Sequence, residues 1–160
     1  MKRLELNLSA SRDLNINLSR SLDKDLLKEE DKRSVIYALG YLLKDSEVMD
    51  LGKSSLPEES LEEIKSAVII MNMLNVYYKT RFSLDNKDEY TKADLRMQTL
   101  ATTKLNKSTF EAIAFAVSAV NGCQYCVNSH EKSLKGHGYT TDQIHEVLRI
   151  SSIIKSLNSI

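Results

Sequence analysis

Two cysteines stand three residues apart in Cys123-Gln-Tyr-Cys126, and they are the only cysteines of the 160-residue chain. His130 follows them, and Glu111 precedes them inside a run that carries Phe110, Ile113, Ala114, Phe115, Ala116 and Val117. On a helix, thiols at i and i+3 have Cα atoms about 5–6 Å apart, inside the window that a disulfide tolerates. His130 continues the same stripe at i+7. A dithiol that opens and closes with so little backbone movement suits two-electron redox chemistry. It is a poor structural staple, because closing so short a loop stabilises little.

Only the thiolate attacks, and a free cysteine titrates near about 8.5. If Asn121 caps a helix, Cys123 lies in its first turn, where the helix dipole favours an anion. Cys126 lies beyond that turn but has His130 at i+4 as a proton acceptor or positive neighbour. Spacing leaves open which sulfur attacks. Glu111 carries a carboxylate on an apolar helix, so it needs a partner or a raised pKa. It either pairs with His130 and orients the imidazole, or closes a capping box with Ser108. Tyr125 and Gln124 either shape access to the sulfurs or are ordinary helix surface. Zinc is the chemical rival for two cysteines and a histidine, but a tetrahedral site lacks its fourth ligand unless His137 supplies it. No metal is expected. His137 and His145 otherwise read as a helix-terminal and a surface residue, and Met71 and Met73 as core filler. Tyr77 and Tyr78 read as the partly buried end of a helix.

The elements that must position these groups are helices. One proline and five glycines leave little material for hairpin turns, and strand-like alternation is scarce, so the fold class is all-α. Leucines at 14, 18 and 22 predict an amphipathic helix over 9–22. Val35, Ile36, Leu39, Leu42 and Leu43 mark another over 26–44, and a short segment over 46–51 ends at Gly52. Ser55-Leu-Pro57-Glu58 has capping-box spacing and predicts a helix over 57–79, apolar nearly all round at its middle and therefore central and buried. A polar connection over 82–93 leads to a shorter helix over 94–102. Ser108-Thr-Phe-Glu111 opens a helix to about 120, Asn121-Gly122 interrupts it, and a fresh helix runs over 123–135 into Gly136-His137-Gly138. Thr140-Thr-Asp-Gln143 caps a last helix ending near 157.

The chain is long enough for one helical domain with a real core, residues 1–8 being expected to be disordered. Lysine plus arginine and aspartate plus glutamate both number 22, and no basic stripe interleaves with aromatics, which argues against nucleic acid as a partner. The longest apolar run, 67–71, is far short of a membrane span. The first residues never become apolar for the roughly seven positions a secretory signal needs. The expected location is cytoplasmic, where a CxxC is more often redox-active or metal-binding than structural.

Glu111, Cys123-Gln-Tyr-Cys126 and His130 together resemble the signature of the AhpD alkylhydroperoxidases in the carboxymuconolactone decarboxylase-like superfamily. Met71-Asn-Met-Leu-Asn-Val-Tyr-Tyr-Lys-Thr-Arg81 is similar to that family's central helix. Leu95-Arg-Met97 and Phe115-Ala-Val-Ser-Ala-Val-Asn-Gly-Cys123 are similar to the approach to its active site, and Arg12-Asp-Leu-Asn-Ile-Asn-Leu-Ser19 to its amino-terminal helix. The resemblance covers about residues 10–157. It implies a protein that reduces organic hydroperoxides and regenerates a peroxiredoxin of the AhpC type. It implies further that the disulfide is re-reduced by dihydrolipoamide carried on a lipoyl-bearing dehydrogenase component, and that no cofactor is bound. It implies that Cys126 attacks, that Cys123 resolves, that Glu111 and His130 relay protons, and that the assembly is a homotrimer. Some members carry histidine immediately before the second cysteine. This chain has Tyr125 there, a far poorer base near neutrality, so the relay is expected to run through Glu111 and His130 alone, with slower peroxide turnover. The alternatives are a superfamily lyase or isomerase acting on a small lactone, and a zinc-stabilised helical binding module.

Overall fold

The computed structural model describes residues 9–159, so the expected disorder of residues 1–8 lies outside the described part. Eight α-helices follow one another, and no strand occurs among the described residues. They are α1 (Ser9–Asp23), α2 (Glu29–Leu43), α3 (Ser46–Lys53), α4 (Glu58–Ser83), α5 (Gln98–Thr102), α6 (Lys107–Asn121), α7 (Gln124–Gly136) and α8 (Thr141–Leu157), with one 3-10 turn at Lys87–Glu89. The all-α expectation holds. No helix among the described residues is long and apolar enough to cross a membrane.

Local capping explains most of the boundaries. Thr140 forms the full capping box, its hydroxyl accepting from the Gln143 N–H while the Gln143 side chain accepts from the Thr140 N–H. The two other capping boxes expected from spacing do not form. Before α4, Ser55 has φ 72° and Pro57 itself is the N-cap, with no side-chain hydrogen bond. Before α6, the cap is Asn106, whose side-chain oxygen accepts from the Ser108 N–H, so Ser108 lies inside the first turn. The helix expected over 94–102 is present only as Gln98–Thr102, because Asp94 adopts φ 50° and breaks it.

Helices α2, α4, α6 and α8 converge on one buried cluster that includes Ile36, Leu39, Ile64, Val68, Ile113, Val117, Val147 and Ile154. Helix α6 is the densest contributor, buried from Ala112 to Ser118, and it packs against α2, α4, α7 and α8. Asp31, at the start of α2, accepts from Thr109 of α6 and from the Tyr139 phenol at 2.7 Å. Burial, reinforced by the Asp31 carboxylate beside it, pushes the Tyr139 phenol far above its ordinary range and keeps it a donor. That pair anchors the start of α6 and the exit from α7, the two helices that carry the candidate site. Helix α4 departs from the all-round burial expected of it: Leu61, Ile64, Val68, Met71 and Leu74 face inward, but Ile69 and Val76 are more than half exposed on its outer face.

Candidate active site

Helices α6 and α7 form a tight hairpin. Gly122 ends α6 in the left-handed region at φ 66°, a conformation that costs a residue with a Cβ roughly 1–2 kcal/mol. Cys123 is then the N-cap of α7, so the cap expected at Asn121 moves two residues on. The Cys123 sulfur takes the place of a capping oxygen: the Cys126 N–H points at it from 3.4 Å. The two cysteines are joined in a disulfide, with Cα atoms 5.3 Å apart. Both sulfurs gain from this placement once reduced, because the helix start presents unpaired N–H groups and a favourable dipole to a thiolate.

Glu111 lies on α6 and His130 on α7, and the hairpin brings them together. Glu111 Oε2 and His130 Nδ1 are 2.8 Å apart, both side chains being largely but not wholly buried. The carboxylate thus holds one imidazole nitrogen and leaves Nε2 for proton exchange. Of the two roles open to Glu111, the pair with His130 is the one the fold adopts, and Ser108 hydrogen-bonds Asn106 instead.

Cys126, Glu111 and His130 line a common cavity of about 470 Å³. Its remaining wall is mostly apolar, with Met71, Leu74 and Tyr78 from α4, Met97 and Leu100 around α5, and Phe110 from α6. Cys123 is wholly buried and is not part of this wall. Tyr125 stands half-exposed at the mouth, its ring stacked on Phe82 at 4.0 Å and 5.5 Å from Tyr78. Gln124 is exposed and lies outside the cavity, whereas Met71 is both core and cavity wall. His137 also lines the cavity, a placement that its position at a helix end did not suggest. Lys107 and Phe82 went unrecognised in the sequence, although Phe82 at i+4 from Tyr78 was a usable signal. His145 is exposed, bonds Arg149 at 3.0 Å and is not part of the cavity lining. Among the described residues, no three His, Cys, Asp or Glu side chains converge as a metal site would require.

A polar ladder on α4 holds the cysteine turn from behind. Buried Asn75 donates to the Ser118 hydroxyl at 2.9 Å, and Asn121 donates to both Asn75 and Asn72 at 3.0 Å. Lys79 donates to the Asn121 carbonyl at 2.9 Å, and the Cys123 N–H donates to the Ser118 carbonyl. Asn75→Ala removes the middle rung and strands buried Ser118. The expected loss is about 1–3 kcal/mol in chemical denaturation, against little change for Asn72→Ala on the exposed edge.

A helical protein that carries a CxxC disulfide at a helix start, beside a carboxylate–imidazole pair, is a thiol-redox scaffold in class. Comparison with known proteins agrees: residues 90–158 match the carboxymuconolactone decarboxylase family. The alkyl hydroperoxide reductase AhpD of Rhizorhabdus wittichii is 33% identical over 154 residues, covering 91% of this chain and 87% of that one. That of Hyphomonas neptunium is 30% identical over 151 residues, covering 91% and 84%. That of Mycobacteroides abscessus is 40% identical over 108 residues, covering 68% of this chain but only 62% of its own length. The chain belongs to the AhpD family.

Proposed function

We propose that the protein is a dithiol peroxidase and disulfide reductase that reduces organic hydroperoxides through Cys126 and Cys123. The observation that carries this reading is that Cys126 is the sulfur on the cavity wall, beside the Glu111–His130 pair, while Cys123 is enclosed behind it. The relatives' identity as alkyl hydroperoxide reductases supports the same activity.

In the reaction, the Cys126 thiolate attacks the outer peroxide oxygen and the O–O bond breaks. The alcohol leaves with a proton delivered through His130 and Glu111, and Cys126 becomes a sulfenic acid. Cys123 attacks that sulfur, the S–S bond forms and water leaves. Two thiols are oxidised, and the hydroperoxide is reduced to alcohol and water. Dihydrolipoamide returns the electrons: one of its thiolates attacks Cys126, Cys123 departs as a thiolate at the helix start, and the second lipoyl thiol completes the exchange. A phenol at position 125 in place of a histidine is expected to slow peroxide turnover.

The reductant belongs to a lipoyl-bearing dehydrogenase component, the electrons pass on to a peroxiredoxin of the AhpC type, and the location is cytoplasmic. A homotrimer would cover the exposed Ile69 and Val76 of α4, and static light scattering is expected to return three chain masses. Monomer mass at micromolar concentration would remove that part of the proposal.

The test of the redox assignment is a titration with dihydrolipoamide followed by thiol counting. Two thiols per chain are expected to appear, and to disappear again on addition of an organic hydroperoxide. A disulfide that dihydrolipoamide leaves intact would count instead for the lactone chemistry of the wider superfamily.

A further inference from the structure

The cavity has a direction. Cys126 lies near the start of α7, and His137 follows eleven residues later, just past its end. At a rise of 1.5 Å per residue that is about 16 Å along the helix axis. Lys107 is the first residue of α6, one turn before Glu111, at the same end of the hairpin as His137. Cys126, Lys107 and His137 all line the one cavity, and Met71, Leu74, Met97, Leu100 and Phe110 are part of the wall they share.

Charge is distributed unevenly along it. Among the described residues, Glu111 is the only carboxylate in the cavity lining, and it is engaged by His130. Among the described residues, no carboxylate lies within 4.0 Å of the Lys107 ammonium, and the His137 ring makes no hydrogen bond. Among the described residues, the far end therefore offers an exposed lysine without a carboxylate partner and an exposed imidazole, separated from the sulfur by the Glu111–His130 pair and a largely apolar wall. A compact alkyl hydroperoxide uses the sulfur end alone and leaves this arrangement without purpose.

We infer that the cavity takes long-chain hydroperoxides that end in a carboxylate, such as fatty-acid hydroperoxides. The acyl chain lies against the apolar wall, the carboxylate meets Lys107 and His137, and the hydroperoxide group reaches Cys126. The inference rests on the peroxidase reading and narrows its substrate. Lys107 acts as a specificity residue: it holds the far end of the substrate and takes no part in breaking the O–O bond. The chemical step is the one already written, with the fatty-acid hydroperoxide reduced to the hydroxy acid.

Pre-reduced protein, freed of reductant, is mixed with a long-chain fatty-acid hydroperoxide below its micellar range, with its methyl ester, or with tert-butyl hydroperoxide. The rate of thiol loss is then recorded. The free acid is expected to oxidise the wild-type protein about fivefold faster than the ester, the upper end of what one exposed charge pair supplies. Lys107→Gln is expected to bring the acid down to the ester, Lys107→Arg to restore the preference, and neither to alter the rate with tert-butyl hydroperoxide. Equal rates for acid and ester in the wild type, or an equal loss on all three substrates in Lys107→Gln, would overturn the inference. Calorimetric binding of the parent fatty acid to the oxidised protein separates the two levels of the argument. If no hydroperoxide consumes thiols yet the acid binds and Lys107→Gln weakens it about fivefold, the activity is wrong and the cavity assignment stands. If tert-butyl hydroperoxide consumes thiols and the acid does not bind, the activity stands and the assignment falls.

Discussion

Cys126→Ser is expected to lower dihydrolipoamide-dependent hydroperoxide consumption by roughly 10³-fold or more, to the background of the assay. A serine hydroxyl at the same place is hardly ionised near neutrality and has no sulfur to carry to the sulfenic state. The geometry singles out this cysteine. Cys126 lines the cavity and keeps 4% of its surface accessible, whereas Cys123 is wholly enclosed and caps the helix start. Cys123→Ser should behave differently. It leaves the first step intact, so one equivalent of hydroperoxide is consumed and a sulfenic acid accumulates at Cys126, where a dimedone-type probe traps it. Turnover then stops, because nothing expels the sulfenic oxygen as water. Full activity in Cys126→Ser, or trapping at position 123 instead, would reverse the assignment of the two sulfurs.

Glu111→Gln is expected to cost about 10²-fold in turnover, at the lower end of what a positioned acid–base pair contributes. The amide has the shape of the carboxylate but loses the charged acceptor that fixes the orientation of the His130 ring. Because Glu111 sits on the same helix as the core residues Ala112 to Val117, its loss could also act through folding. Ser108→Ala separates the two. If Glu111 served mainly as a cap partner, removing Ser108 would mimic the effect. The bond at Ser108 goes to Asn106, so this variant should keep full activity. Thermal unfolding of both variants measures the stability part, and a Glu111→Gln protein with unchanged turnover would remove the relay from the mechanism.

Much of the helical arrangement was legible in the chain, and several of the departures lie at helix starts. Helix existence follows from the spacing of apolar residues, which a local reading sees. Helix starts depend on which side chain first finds a free backbone N–H, and near neighbours compete for it. Asn106 reached the Ser108 N–H before Ser108 could act as a cap, and Cys123 displaced Asn121 as the cap of α7. Thr140, despite Thr141 and Asp142 beside it, is the residue that caps α8, and its capping box formed as read. The shortened helix at Gln98–Thr102 reflects a left-handed turn at Asp94 that composition did not signal. On α4, an apolar sequence all round was read as burial all round. Ile69 and Val76 stay exposed because, among the described residues, the helices that contact α4 leave its outer face uncovered.

The candidate residues show the same division. Cys123 and Cys126 announce a dithiol through three-residue spacing alone, since a helical start brings such sulfurs within bonding range whatever surrounds them. Glu111 and His130 were recognisable as suspects, but their meeting needed the turn at Asn121-Gly122 to fold α7 back along α6. Neighbours within one helix are set by the chain's own geometry. The wall of the cavity, the sulfur that faces it, and the arrival of Lys107, His137 and Phe82 around it come from contacts between helices far apart in sequence, which depend on how the core packs rather than on any local pattern.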